Sequence, residues 1–302
     1  MVNPRSANGR TGKEWNSLRS ALEAELGPIA VKMTTRPLEA VELTRRAIQE
    51  GAEMILAVGG DGTLNEVVNG FFDNGRPVRE GMALGVLSRG TGCDFIKSYG
   101  FPKDVREAAR LLRGRDASPC DVGLVRLKPA EGAPAERYFI NIADLGVGGL
   151  VVDAVNRTTK AFGGKASFLM GSIRGSLAYR NQPMRIVVDG KTVADGIPQY
   201  MVAVANGRCF GAGMRIAPDA SLSDGQFEVV VTGDLTFLET VQLGRLVYRG
   251  LAGTIPKVKC WRGRRVEVSS PGRVLIDIDG ELAGESPASF EIIPGALRLK
   301  GL

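Results

Sequence analysis

Over roughly the first 120 residues, apolar positions switch repeatedly between helical spacing and short unbroken runs. Trp15, Leu18, Leu22 and Leu26 share one helical stripe, so residues 13–26 predict a helix that Gly27-Pro28 ends. Residues 29–33 predict a short strand, 38–50 a helix stopped by Gly51, 55–58 a buried strand and 64–73 a helix. A second buried strand over 82–87 runs into a glycine-rich loop that opens another helix, and 105–113 read as a further helix. Such β-α alternation implies a mostly parallel, doubly wound α/β sheet, in which ligands bind beyond the carboxyl ends of the strands.

From about Cys120 the pattern changes to short strands with period-two alternation, at 122–127, 137–143, 184–188, 199–205, 226–232, 264–268, 275–278 and 288–293. Two helices interrupt them, one over 162–179 with Phe162, Ala166, Leu169, Ile173 and Leu177 on one stripe, the other over 237–248. Domains at 1–121 and 122–293 follow, the second a β-sandwich. No internal repeat or low-complexity tract is present.

Composition narrows the chemistry. The 302 residues carry a formal charge of +6, which favours polyanionic partners such as nucleotides or anionic lipid surfaces. Aromatic residues make up only 6%, with no stacking motif, so nucleic acid is not expected as a partner. The chain has no histidine, which removes Ser-His-Asp and Cys-His nucleophilic mechanisms and most zinc enzymology and leaves proton transfer to carboxylates, lysines or tyrosines. Cys93, Cys120, Cys209 and Cys260 are scattered without a Cys-x-x-Cys pair, as expected of structural thiols in a reducing compartment. No apolar run approaches the roughly 18 to 20 residues needed to span a bilayer, so a cytoplasmic chain is expected, at most peripheral at the inner membrane face.

The segment 55–69 runs from a buried strand through Gly59-Gly60-Asp61-Gly62 into a helix. Its glycines let backbone N–H groups approach a phosphate without a Cβ in the way, and the helix aims its positive end at the same place. A carboxylate there is repelled by phosphate unless a divalent cation lies between them, so Asp61 suggests magnesium. The loop is neither a Walker A motif nor a dinucleotide fingerprint, which would need a glycine at Asn65, and a simple strand-to-helix bend is the plainer reading. Asp94 ends the second glycine loop and Asp121 stands at the domain junction, so three acids could gather at one sheet edge. Further on, Asp277, Asp279 and Glu281 alternate with Ile276 and Ile278, which reads either as acids on one strand face or as an Asp-Gly hairpin turn. Ser221-Leu222-Ser223-Asp224-Gly225 is a further Asp-Gly turn, plain or cation-binding. The basic stretch 257–265 around Trp261 reads as a solvated edge strand or an anionic-membrane contact.

Taken together, Asn3-Pro4-Arg5-Ser6, Gly59-Gly60-Asp61-Gly62-Thr63-Leu64-Asn65-Glu66, Gly90-Thr91-Gly92-Cys93-Asp94, Cys120-Asp121-Val122-Gly123 and Asp279-Gly280-Glu281 resemble the bacterial diacylglycerol kinase-type lipid kinases. Those kinases are related to sphingosine and ceramide kinases and to NAD kinases. The match runs in order along nearly the whole chain. It implies a Rossmann-like N-terminal domain with a parallel sheet and a C-terminal β-sandwich domain, with ATP in the cleft and residues from about 294 to 302 returning to the first domain. By the same resemblance, Asn3, Pro4, Arg5, Ser6, Thr34, Gly59, Gly60, Asp61, Gly62, Thr63, Leu64, Asn65 and Thr91 would hold ATP, and Asp61, Asp94 and Asp121 would organise Mg2+ and water. Asp279 and Glu281 would supply the catalytic base, and Ser221, Asp224 and Gln226 a structural magnesium site. Cys93 stands where the family usually has asparagine, and only Met1 and Val2 precede Asn3 where a hydrophobic strand is usual.

The expected activity is ATP- and Mg-dependent phosphorylation of a lipid hydroxyl, that of diacylglycerol or a similar lipid. NAD kinase is the nearest enzymatic alternative, and a non-catalytic nucleotide- or membrane-binding protein is the alternative of another class.

Overall fold

The computed structural model describes residues 1–90, 92–114, 116–129, 135–162 and 179–301, with backbone alone for 155–162. It divides into two compact units, Met1–Val122 with Pro294–Leu302, and Gly123–Ile293. The predicted helix over 162–179 falls almost wholly outside the described residues.

The first unit contains helices α1 (Arg10–Leu26), α2 (Glu39–Gln49), α3 (Asp61–Gly70), α4 (Asp94–Tyr99) and α5 (Val105–Gly114) and strands β1 (Met54–Gly59), β2 (Phe72–Asp73), β3 (Arg76–Pro77) and β4 (Ala83–Ser88). Strand β1 pairs with β4 in parallel register from Met54↔Ala83 to Gly59↔Ser88. On the far side of β4, Arg298 and Leu299 pair in parallel with Ala83 and Leu84. Trp15, Leu18 and Leu22 of α1 pack with Val58, Leu87, Ala108 and Ala109, as their helical stripe predicts.

Three local expectations need correction. Residues 29–33 form no ladder strand, because their sheet neighbour is the single residue Val2, bridged to both Met33 and Val58. Lys32 O accepts from Val2 N, whose own carbonyl accepts from Thr34 N, both at 2.9 Å. Helix α3 begins at Asp61 rather than 64, since extended Gly60 already serves as its N-cap, and ends at Gly70. It ends there because Asn74 and Gly75, both at positive φ, turn the β2–β3 hairpin.

The second unit holds β5 (Ala117–Pro129, entering from the first), β6 (Glu136–Phe139), β7 (Ile142–Gly146), α6 (Val147–Phe162), β8 (Gln182–Val188), β9 (Lys191–Gln199), β10 (Met201–Ala205), β11 (Phe227–Val231), α7 (Phe237–Leu246), β12 (Lys259–Gly263), β13 (Arg265–Ser269), β14 (Leu275–Ile278) and most of β15 (Glu281–Lys300). Its strands run in the order β12-β11-β10-β7-β14-β15-β13-β8-β9. Each neighbouring pair along that path is antiparallel. Alternation along β10 sends Val202 and Val204 into a core with Phe139, Phe227 and Phe290, and Met201, Ala203 and Ala205 into a second core beneath α7. Basic β12 ends the strand path, and Lys191 Nζ sits 5.1 Å from the centroid of the Trp261 ring.

Helix α6 was not foreseen. Its opening Val147-Gly148-Gly149 resembles a turn in sequence, but the glycines serve packing. A Cβ on Gly148 would lie 1.8 Å from Asp144 Oδ1, and one on Gly149 would lie 2.7 Å from the Leu275 backbone.

Candidate active site

In the first unit the two glycine loops meet where β1 and β4 end. A Cβ on Gly90 would lie 2.7 Å from Gly60 Cα, and Gly59 O accepts from Arg89 N. Gly59 itself cannot carry a side chain, since its Cβ would fall 2.5 Å from Thr63 Cβ. Thr63 Oγ1 accepts from Asn3 Nδ2 at 3.0 Å, while Asn3 Oδ1 accepts from Arg5 N and the Ser6 hydroxyl donates to Asn3 O. The N-terminal Asn-Pro-Arg-Ser segment and the first glycine loop are therefore one hydrogen-bonded unit.

Asp61 opens α3 and also caps α4, its Oδ2 accepting from Asp94 N at 3.2 Å and its Oδ1 from Phe95 N at 3.4 Å. Asp94 Oδ1 accepts from Lys97 Nζ at 3.1 Å. The two carboxylates share Gly92 as a neighbour, a Cβ there lying 3.1 Å from Asp61 Oδ2 and 3.4 Å from Asp94 Oδ2. Burial and then the charge of Asp94 push the Asp61 carboxyl above its ordinary range, against the N–H bonds that favour its ionised form. Cys93, at φ 54°, turns the chain into α4 and donates its thiol to Gly90 O. Asp121 is buried separately and accepts from Gly295 N at 2.7 Å.

The second unit places Asp277, Asp279 and Glu281 in three different surroundings, not on one strand face. Asp279 and Gly280, both at positive φ, form the turn between β14 and β15. The Asp279 carboxylate is buried and accepts from Ile140 N at 3.2 Å and from Asn141 N and Ile142 N at 3.1 Å each. Glu281 accepts from the buried Arg137 guanidinium at 3.0 Å. Asp277 is register-paired with Asp144 of β7. Burial pushes Asp144 up to about 7 and Asp277 well above the usual carboxylate range, and the two side chains share a hydrogen bond. Tyr179, which burial pushes upward, feels the Asp144 charge, and Asp279 and Glu281 add theirs to Asp277.

Comparison with known proteins decides the family. Residues 1–125 match the profile of the diacylglycerol kinase catalytic domain, and residues 141–301 match the YegS C-terminal NAD kinase beta sandwich-like domain. The chain belongs to the diacylglycerol kinase family of lipid kinases. It is 30% identical over 251 residues to a diacylglycerol kinase of Staphylococcus carnosus, covering 82% of this chain and 76% of the relative. Against a diacylglycerol kinase of Bacillus subtilis the identity is 30% over 259 residues, covering 85% and 80%. A crystal structure of a candidate diacylglycerol kinase from Bacillus anthracis str. Sterne shares the fold at TM-score 0.78 and 22% identity, covering 99% of this chain and 93% of that one. The protein is thus a phosphotransferase acting on an alcohol.

In this lipid kinase several sequence candidates also make hydrogen bonds within the fold. Thr34 N bonds Val2 O, and buried Asn65 accepts from Asn69 Nδ2. Thr91 lies outside the described residues. The Asp224 turn is closed by the protein's own cation, with Arg262 on one carboxylate oxygen and Gln226 N donating to the other at 3.1 Å. Among the described residues no group of three acidic, thiol or imidazole side chains is arranged to hold a metal, so the expected three-acid cluster is a pair, Asp61 with Asp94. Sequence reasoning missed Arg137 and Asp144. The signal for Asp144 was its place one residue beyond the predicted 137–143 strand, flanked by Ala143 and Leu145.

Proposed function

We propose that this lipid kinase uses ATP and magnesium to phosphorylate the hydroxyl of diacylglycerol or a similar lipid. The observation that carries the reading is the union of two glycine loops at parallel strand ends with two carboxylates beside Gly92 and the start of α3 among them. Such a cradle offers N–H groups and a helix N-terminus to a polyphosphate. Magnesium typically takes one or two carboxylates and completes its shell with water and phosphate oxygens, so the Asp61 and Asp94 pair fits it. When bound, the cation would spread the charge of the phosphoryl group in transfer.

The chain's own residues account for the remaining tasks. Asn3 to Ser6, Thr34, Gly59 to Asn65 and Thr91 would hold the nucleotide, with Asp121 tying β5 to Gly295 of β15. Asp279 and Glu281 would accept the hydroxyl proton. Three N–H donors fix the first and one guanidinium orients the second, and an ionised carboxylate has about four lone-pair sites.

The test is thin-layer analysis with labelled ATP against diacylglycerol, phosphatidylglycerol, ceramide and sphingosine, with NAD as a separate acceptor. A phosphorylated lipid is expected, lost with chelator and restored by magnesium. Glu281→Gln should lower kcat by about 100-fold or more with the KM for ATP little changed. Folded protein that labels none of the lipids overturns the proposal, and NADP formation without lipid product transfers the reading to NAD kinase.

A further inference from the structure

Among the described residues, eight large apolar side chains are exposed, and five of them, Phe237, Leu238, Val241, Tyr248 and Leu251, fall on α7 and the turn that follows it. Helix α7 is apolar on two sides. Its inner side sends Leu243 and Val247 into the core with Leu235, Ala252 and Ile255. Its outer side presents Phe237 at 65% exposure and Leu238 at 78%, then Val241 one turn on and Tyr248 in the following turn Val247–Arg249. A helix apolar on both faces is ordinarily covered on both.

Charge indicates what covers this one. Between residues 236 and 262 a single acid stands against five bases, and that acid, Glu239, is occupied by the Thr236 capping box and by Lys257 Nζ at 2.7 Å. Arg245 and Arg249 are exposed on the same outer stretch as the apolar side chains. A symmetric contact with a second copy would gather two copies of Arg245 and Arg249 with no free acid from this stretch, which like-charge repulsion disfavours. Aromatic and aliphatic tips flanked by arginines suit the boundary of an anionic bilayer, where rings rest at headgroup depth and guanidinium groups meet lipid phosphate.

We infer that the outer face of α7, with Phe237, Leu238, Val241 and Tyr248 as inserting side chains and Arg245 and Arg249 as phosphate contacts, docks this enzyme on an anionic lipid surface. The inference rests on the reading of the chain as an enzyme of lipid substrates and names the surface through which it would reach them.

Co-sedimentation without ATP reads docking alone, using vesicles of phosphatidylglycerol and phosphatidylcholine against vesicles of phosphatidylcholine only. Binding to the mixed vesicles is expected to fall at least tenfold in the Phe237→Ser/Leu238→Ser double variant. In Arg245→Gln/Arg249→Gln the salt-dependent part of the binding should disappear. The substituted side chains are exposed, so unchanged circular dichroism and Tm are expected, and turnover of detergent-dispersed short-chain diacylglycerol should stay at the wild-type rate. Equal vesicle binding by both variants and wild type overturns the inference, as does wild-type protein that phosphorylates micellar lipid yet binds no vesicle. A concentration-dependent dimer abolished by the Phe237→Ser/Leu238→Ser pair would also overturn it, assigning the face to a second copy. Vesicle binding without turnover of any lipid would instead leave the docking face standing and remove the proposed function.

Discussion

Two carboxyl groups taken out of water at register-paired positions cannot both carry charge at modest cost, and Asp144 and Asp277 are such a pair. Both are raised above their unfolded values, so from about pH 4 through 7 this pair holds more protons in the folded chain than in the unfolded one, and its contribution to stability falls as pH rises through that window. Asp277→Asn keeps a donor facing Asp144 and leaves Asp144 as the one titrating group of the pair. At pH 8 it should therefore unfold at higher urea than wild type, by about 1 to 3 kcal/mol, with a smaller difference at pH 5. Equal differences at the two pH values would show that burial of this pair carries no linkage. The dyad was illegible beforehand because its members are far apart along the chain and only strand register brings them together. The glycine loops were legible because turn chemistry is local: Gly60, Asp61 and Asp94 lie at the strand ends that their neighbours in sequence predict.

The elements of the first unit are held at their ends by side chains borrowed from other elements. Glu66, on α3, accepts from Leu38 N at 3.0 Å and Ala40 N at 3.2 Å, and so supplies the N-terminal cap that α2 lacks from its own Leu38. Asp61 does the same for six-residue α4. Replacing Glu66 by Ala leaves two helix-end N–H groups to water and should cost about 1 to 2 kcal/mol in urea denaturation. Glu66→Gln, which keeps an acceptor, should recover part of that loss, whereas equal loss in both variants would place the effect in charge rather than capping. Helices α2 and α5 were readable within a residue or so from apolar spacing alone. The start of α3 and the whole of α6 were not, because Gly60, Gly148 and Gly149 signal a turn in sequence while in space they admit Gly90, Asp144 and Leu275.

At the scale of the whole molecule, the segment 123–293 interrupts the first unit, which is completed only by residues 294–302. That closing piece pairs Arg298 and Leu299 with Ala83 and Leu84, buries Leu297 and Leu299, and gives Asp121 its partner in Gly295. No hydrophobic pattern announces this return, since a short alternating run near a terminus names no neighbour; it was expected only from the family resemblance. A chain ended at residue 293 loses two fully buried leucines and one edge of the β1–β4 sheet, about 3 to 6 kcal/mol, which approaches the whole stability of an ordinary domain. The second unit keeps its two cores in that truncation, because every residue that forms them lies before 293. Truncation should therefore not unfold the protein uniformly. Far-UV dichroism should retain its strand signal, while the rise in Tm expected of the full chain with ATP and magnesium should be absent, since a ligand stabilises only the fold that binds it. An equal ATP-dependent shift in the truncated and full chains would show that the glycine loops hold their shape without the pairing of Arg298 and Leu299 to β4, and that the first unit ends where its continuous sequence does.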